Sequence, residues 1–236
     1  MSGSAGGLEI VPVAGLPEVR PGDTLAELIA GAADLHDGDV VVVTSKIVSK
    51  AEGRLVAVDP DDPRSAKALV EEEAVRVLRR RGDLLITETA HGFVCANAGI
   101  DLSNVERGWA ALLPLDSDRS ARRIRDGLRA RAGVEVAVVV TDTVGRTWRK
   151  GLTDVAIGCA GIAAVVDLRG ETDALGRELA VTEVAVVDEL AAAAELVMGK
   201  SAAVPVAIVR GVDPGWLREG SVRAEIVRPP AEDLFR

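Results

Sequence analysis

Residues 141–161 read TDTVGRTWRKGLTDVAIGCAG and bring a carboxylate, a hydroxyl and three cations close together along the chain. Asp142 and Thr143 follow the β-branched run VEVAVVV, which reads as a buried strand. A strand that ends there and turns at Gly145 sets both oxygen-bearing side chains at its carboxyl end, where sheets of this type place ligand sites. Neighbours along a strand face opposite sides, so Asp142 and Thr143 share one ion only if the strand breaks beside them, and Gly145 is the expected break. Arg146, Arg149 and Lys150 follow, with Trp148 among them. Cations neutralise phosphate oxygens and a carboxylate holds a divalent ion that bridges them, so the pattern suits a phosphorylated substrate. A turn cap is the plainer role for Asp142–Thr143. Thr153 and Asp154 add a second polar step, for which a helix N-cap is an equal reading.

Three further clusters interrupt apolar segments. GLPEVRPGD, residues 15–23, suits a loop that wraps a ligand with its backbone, and is also simply a loop. Ser45, Lys46 and Lys50 follow the strand VVVVT, from which lysines can reach phosphate oxygens as compact charges. No GxxxxGK[ST] is present, and two solvated lysines in a turn is the alternative. HGFVCANAGIDLSN, residues 91–104, sets Asn97, Asp101 and Asn104 among small residues. Asp101 has the oxygen chemistry of a hard-cation ligand and Asn104 that of a hydrogen-bonding partner. His91 could act as a base, although a lone histidine is more often structural.

The elements that must position these groups follow from periodicity. Strands are expected over residues 8–13, 40–44, 84–88, 93–96, 109–115, 134–141, 162–168 and 204–209. Helices are expected over 23–33, capped by Asp23 or Thr24, over 65–81, over 117–132 with an Arg-rich outer face, and from a Thr182 cap through 198, ending at Gly199. Residues 221–227 close the structured region. Hairpin-like neighbours mix with helical crossovers, so the fold class is α+β with mixed sheets rather than a doubly wound Rossmann fold. Residues 1–7 read as a flexible leader, 8–228 as one catalytic domain and 229–236 as a tail or junction.

The 236 residues suffice for a full core, and 48% hydrophobic with 28% charged is a globular composition. Aromatics are 2% with no Tyr, so the core must be aliphatic. A net charge of −9 argues against sequence-independent nucleic-acid binding, but not against a small anionic ligand. Cys95 and Cys159 lack metal or redox spacing and read as buried free thiols of a reducing cytoplasm. No apolar run reaches the ~18 residues of a membrane span, and the start lacks a signal-peptide pattern.

Taken in order, GLPEVRPGD, TSKIVSKAEGR, HGFVCANAGIDLSN, TDTVGRTWRKGLTDVAIG, GRELAVTEVAVVDELAAAAELVMGK and VPVAIVRG resemble the coenzyme F420-0:L-glutamate ligase family across nearly the whole chain. The resemblance implies that GTP phosphorylates the terminal carboxylate of F420-0. The amine of L-glutamate then displaces phosphate to give an amide, and further γ-linked glutamates can follow. It implies two divalent ions, Mg²⁺ or Mn²⁺, with K⁺ as a further cation. Asp101, Asp142 and Thr143 would hold metal. Gly15, Leu16, Pro17, Glu18, Ser45, Lys46, Lys50 and Asn104 would line the GTP site. Asp142, Arg146 and Arg149 are the expected catalytic groups, the arginines serving the anionic acceptor or the transition state. Residues 199–206 would close over the nucleotide. A Gln or Glu is expected there as a further metal ligand, whereas this chain has GKSAAVPV, with Ser201 its only oxygen-bearing side chain. The family further implies an intertwined homodimer. The ending VRPPAEDLFR resembles the junction to a flavin-dependent reductase domain in actinobacterial two-domain relatives. A metal-dependent ligase or phosphotransferase acting on another phosphorylated acid is the alternative enzyme, and a nucleotide-binding regulatory module is the non-enzyme reading.

Overall fold

The computed structural model describes residues 7–103 and 105–233. Asn104, residues 1–6 of the expected leader and the last three residues of the expected tail lie outside the described residues.

The chain opens with β1 (Glu9–Pro12), α1 (Leu25–Ala32), β2 (Val40–Thr44) and α2 (Ser45–Ala51). An excursion follows: β3 (Leu55–Ala57), α3 (Pro63–Glu73), β4 (Ala74–Arg81), β5 (Leu84–Thr89), β6 (Val94–Ala96) and β7 (Trp109–Ala111). The chain returns through α4 (Ser117–Ala132), β8 (Ala137–Arg146) and β9 (Arg149–Ala160). It ends with β10 (Val166–Asp167), β11 (Glu183–Val184), α5 (Val186–Met198), β12 (Val206–Arg210) and α6 (Val222–Glu225).

The main sheet has the order β1-β12-β2-β8-β9, with β2 and β8 parallel and the other pairs antiparallel. Smaller sheets pair β3 with β7, β10 with β11, and β4, β5 and β6 as a meander. The expected α+β class with mixed sheets is what the chain adopts. Successive valines of β2 face opposite sides, and both sides are covered. Val41, Val43, Val138, Val140 and Ile208 pack with Ile29, Ile124 and Leu128 of α1 and α4. Val40, Val42, Val139, Ala207 and Val209 pack with Leu190, Ala194 and Met198 of α5. A strand buried on both faces reads as a continuous apolar run, as VVVV does. At ~25 cal/mol per Å² each such valine contributes roughly 1.5 kcal/mol or more, so an aliphatic core suffices without aromatics.

Several expected boundaries are corrected. The helix expected over 65–81 is helical only to Glu73, after Asp62 caps its start, and 74–81 forms β4. The segment AVRVLRRR supports both periods, and antiparallel pairing with β5 decides for the strand. The helix expected from Thr182 starts only at Val186, because Glu183 and Val184 pair with β10. Residues 162–165 are not strand, and β10 is two residues long. Residues 45–51 form a helix that periodicity did not suggest. Neither Asp23 nor Thr24 caps α1 through its side chain; Asp23 Oδ2 accepts from the Arg20 amide at 2.7 Å. The turn expected at Gly145 lies further on. β8 continues to Arg146, and the chain reverses at Thr147–Trp148, with Trp148 at φ 66.

α4 matches its expected bounds and seats on β9 through Gly158. A Cβ at Gly158 would lie 2.3 Å from the Ser117 carbonyl carbon, deep within backbone contact distance. The same helix start supplies Asp118, whose carboxylate accepts from the amides of Cys159 (2.8 Å), Val222 (3.0 Å) and Arg223 (3.2 Å) and from Ser221 Oγ (2.7 Å). One buried side chain thus ties α4, β9 and α6. Gly158→Ala is expected to cost about 1–3 kcal/mol or more, because backbone must move. Gly145→Ala meets no atom within 4 Å and is expected to melt close to wild type. Paired thermal melts check this; equal melting temperatures would refute the close seat.

Candidate active site

A pocket of about 860 Å³ opens where β2 ends and is lined by Thr141, Asp142 and Thr143 in the middle of β8. In-register parallel pairing sets Thr44 beside Thr141, so the next residues, Ser45 at the start of α2 and Asp142 on β8, come together although 97 positions separate them. Ser45 Oγ donates to Asp142 Oδ1 at 3.0 Å. Asp142 accepts also from the Thr143 amide, and its direct ionic surroundings are negative. Burial, with repulsion from Asp101 and Asp154, pushes its pKa up to about 6.

Asp101 reaches the same pocket from the excursion. Its backbone exchanges two hydrogen bonds with Ala111 at the end of β7, at 2.9 and 2.8 Å, which fixes where the carboxylate stands. Oδ2 pairs with Lys46 Nζ at 2.7 Å, and Oδ1 accepts from the Ser103 amide at 2.6 Å. Burial alone would raise its pKa, but Lys46 and Ser103 outweigh it and hold the group below the ordinary carboxylate range.

Lys46 and Lys50 lie one turn apart on α2, so both face the pocket. Lys50 is 8% exposed and ion-paired with Glu18 of the 13–24 loop, which removes the reading of two solvated turn lysines. That loop is tied to α2 by the Gly22 amide on Ala51 O at 2.9 Å, and it brings Leu16, Pro17 and Glu18 to the wall. Gly15 precedes them at φ 79, a backbone position that favours glycine.

The structure therefore gathers Leu16, Pro17, Glu18, Ser45, Lys46, Lys50, Asp101, Asp142 and Thr143 around one space. It does not bring Arg146 or Arg149 to that wall. Both are exposed near the tip of the β8–β9 ribbon, where Arg146 donates to Lys150 O at 3.1 Å and Trp148 is 88% exposed. His91 also stands apart: it stacks on Phe93 and bonds Pro114 O at 2.8 Å. Asn97 is structural, accepting from the Leu85 amide at 3.0 Å. Both cysteines are free, and burial pushes each thiol up to about 12.

Three wall residues carry more than the sequence suggested. Asp154 is neither a cap nor surface. It is buried on β9 opposite Thr143, accepting from Thr143 Oγ1 at 2.7 Å and Thr141 Oγ1 at 3.1 Å. Lys200 and Glu195 complete that side. Only the cross-strand register with Thr143 could have singled out Asp154. The shift of register between Val140 and Thr141 carries the ribbon past the core, and Asp188 of α5 anchors it by accepting the Ala156 amide at 2.9 Å.

A mixed-sheet α+β chain whose parallel strands run into a pocket of facing carboxylates and lysines has the makings of an enzyme that handles anions. The family described as F420-0:Gamma-glutamyl ligase matches residues 15–211, and this chain belongs to it. It is 46% identical over 246 residues to the coenzyme F420:L-glutamate ligase of Methanopyrus kandleri, covering 97% of this chain and 98% of that one. It is 44% identical over 250 residues to the protein of the same name from Methanothermobacter thermautotrophicus, covering 98% and 99%. The Haloarcula marismortui relative, with the same name, is 44% identical over 252 residues. Among the described residues no helix is long and apolar enough to cross a membrane.

The raised pKa of Asp142 carries a sign. A folded-state value near 6 against an ordinary 3.8 means that the native chain binds the extra proton between pH 4 and 6. Asp142 therefore lowers stability above pH 6, and the deficit shrinks as pH falls towards 4. Asp142→Asn is expected to be more stable than wild type at pH 7 by about 1–2 kcal/mol, allowing for solvent at its open side. The gap should narrow as pH falls below 6 and close only as pH drops below the ordinary value of 3.8. Melts across that range check it, and a gap independent of pH would refute it.

Proposed function

We propose that this chain ligates L-glutamate to coenzyme F420-0 at the expense of GTP, with a divalent metal ion in the pocket. The activity rests on family membership and on the relatives at 42–46% identity, which are coenzyme F420:L-glutamate ligases by name. The observation that supports the nucleotide and metal reading is Asp142, a carboxylate held in the pocket with no cationic partner among the described residues, while three lysines, Lys46, Lys50 and Lys200, line the same space. A buried anion in like-charged surroundings is costly unless a cation joins it.

The donor set fits a hard divalent cation such as Mg²⁺ or Mn²⁺: Asp101 and Asp142 would hold it, with the Thr143 hydroxyl as a further oxygen. Such an ion, when bound, neutralises phosphate charge. The rest belongs to the chain. Lys46 and Lys50 bind phosphate oxygens with compact charges on a rigid helix, and the 15–18 loop covers the nucleotide. A carboxylate is unreactive towards an amine because oxide is a poor leaving group. Transfer of the γ-phosphoryl group from GTP to a carboxylate oxygen of F420-0 gives an acyl phosphate and GDP. The glutamate nitrogen then attacks the acyl carbon, the C–O bond to phosphate breaks, and the ammonium proton leaves to solvent. The chain contributes positioning and charge, which is most of what phosphoryl transfer requires. Arg146 and Arg149, exposed on the ribbon tip outside the pocket, would meet the anionic acceptor only where it extends beyond the wall. The exposed Trp148 and Leu152 of the same ribbon fit a homodimer contact, and K⁺ is a further cation of the reading.

Incubation with GTP, Mn²⁺ or Mg²⁺, L-glutamate and F420-0 should release phosphate only when both acceptors are present, with a deazaflavin product heavier by one or more glutamyl units. Asp101→Ala and Asp142→Ala should abolish the product while leaving the chain folded. Phosphate release without either acceptor, or none with both, would refute the reading.

Lys50→Ala should weaken GTP binding by roughly 1.5–3 kcal/mol, the worth of one charge-assisted contact. Calorimetry with GTP checks this, and unchanged affinity would leave Lys50 as a partner of Glu18 alone.

A further inference from the structure

The Thr143 side of the pocket already contains a cation of the chain's own. Lys200 follows α5 in a turn bracketed by two left-handed residues, Gly199 at φ 59 and Ala203 at φ 53. Its ammonium donates to Thr143 Oγ1, to Asp154 Oδ1 at 2.9 Å and to Glu195 Oε1 at 2.9 Å. These oxygens come from two strands and a helix and converge on one point. Asp154 is 2% exposed, and its second oxygen is occupied by Thr141 Oγ1. Two carboxylates and a hydroxyl around one position form an oxygen set that a hard cation takes. Here an ammonium fills it, and the two acids hold the Lys200 pKa above its ordinary value although burial opposes them.

The Asp142 side is the opposite case. Its carboxylate accepts from Ser45 Oγ and the Thr143 amide, with Asp101 and Asp154 as the charges that act on it. Among the described residues no three His, Cys, Asp or Glu side chains converge to form a ready metal cage. An ion on the Asp101–Asp142 side would therefore complete its shell with oxygens from outside the chain, phosphate or water. The two sides thus differ in kind: Lys46 meets one oxygen of Asp101 and leaves Asp142 to a hydroxyl and an amide, whereas Lys200 is held by three oxygens of the chain at once.

We propose that Lys200 is the second cation of this pocket, so that the chain binds one divalent ion per nucleotide and supplies the other positive charge itself. The inference rests on the metal-dependent nucleotide reading given above. The ammonium offers charge and hydrogen-bond donors but no Lewis acidity, so its place is beside phosphate oxygens that need neutralising. A tethered charge is also not lost when free metal is scarce, which a second bound ion would be.

Counting bound Mn²⁺ tests this without reference to turnover. Each variant is dialysed against Mn²⁺ with a saturating non-hydrolysable GTP analogue. Nucleotide and metal per chain are then counted in the same sample, the free ion by its electron paramagnetic resonance signal. Wild type should hold one Mn²⁺ per bound nucleotide. Lys200→Gln, which frees Asp154 and Glu195, should hold two, and Lys200→Arg, which keeps the charge, should hold one. Two ions in wild type would overturn the inference and leave the metal reading standing. One ion in both wild type and Lys200→Gln would overturn it as well. No ion in wild type, with nucleotide bound, would overturn the metal reading and this inference together. A melting curve for each variant confirms that the compared chains are folded.

Discussion

The in-register parallel pairing of β2 with β8 is the constraint on which the rest depends. Among the described residues it is the one parallel pair of the main sheet, and it sets the end of β2 at Thr44 level with Thr141, from which β8 runs on. Two chain segments therefore leave a buried sheet side by side, one entering α2 with its lysines and the other continuing as the ribbon with Asp142 and Thr143. A parallel pair needs a long connection, and here that connection is the excursion from α2 to α4. The excursion is also productive, because it returns Asp101 to the pocket through its bridge to Ala111.

Electrostatics divides the pocket into two regimes. Near α2, acids and lysines are matched: Asp101 with Lys46, Glu18 with Lys50. On the ribbon, Asp154 is matched by Lys200 and by two threonine hydroxyls. Asp142 lies between these pairs with a hydroxyl and an amide, and no cation among the described residues matches its charge. Buried ionic groups are costly singly and tolerable in satisfied networks, so an uncompensated member among compensated ones marks where an external cation fits. Fold stability and site chemistry share the same strands here. Asp188 holds the Ala156 amide where the ribbon departs, and Asp118 holds β9 to α6.

What was legible in the sequence was largely local. VVVVT and residues 136–140 announce strands buried on both faces because no charged residue breaks them, and α4 announces itself by its Arg-rich outer face, to which the structure adds the Asp116 cap and the closing Gly133. Local agreement failed at residues 74–81, where arginines alternate with valine and leucine in a pattern that suits either period. It failed also at 45–51, a helix too short for its periodicity to stand out.

By itself the sequence determined the class of fold, the aliphatic core, the family resemblance and most of the polar residues around the pocket, since each belongs to a segment whose composition is unusual on its own. Tertiary structure alone decided their arrangement. Asp154 became a buried anion only through its register opposite Thr143, and Lys200 became its partner only because the end of α5 closes over the ribbon. Arg146 and Arg149, adjacent in sequence to Asp142, were carried away from the pocket by a ribbon that continues where a turn was expected. Nearness along a chain sets which groups are available. Strand register and the direction in which a strand leaves the core set which of them meet, and those depend on pairings that range from 11 positions apart, Thr143 with Asp154, to 97, Ser45 with Asp142.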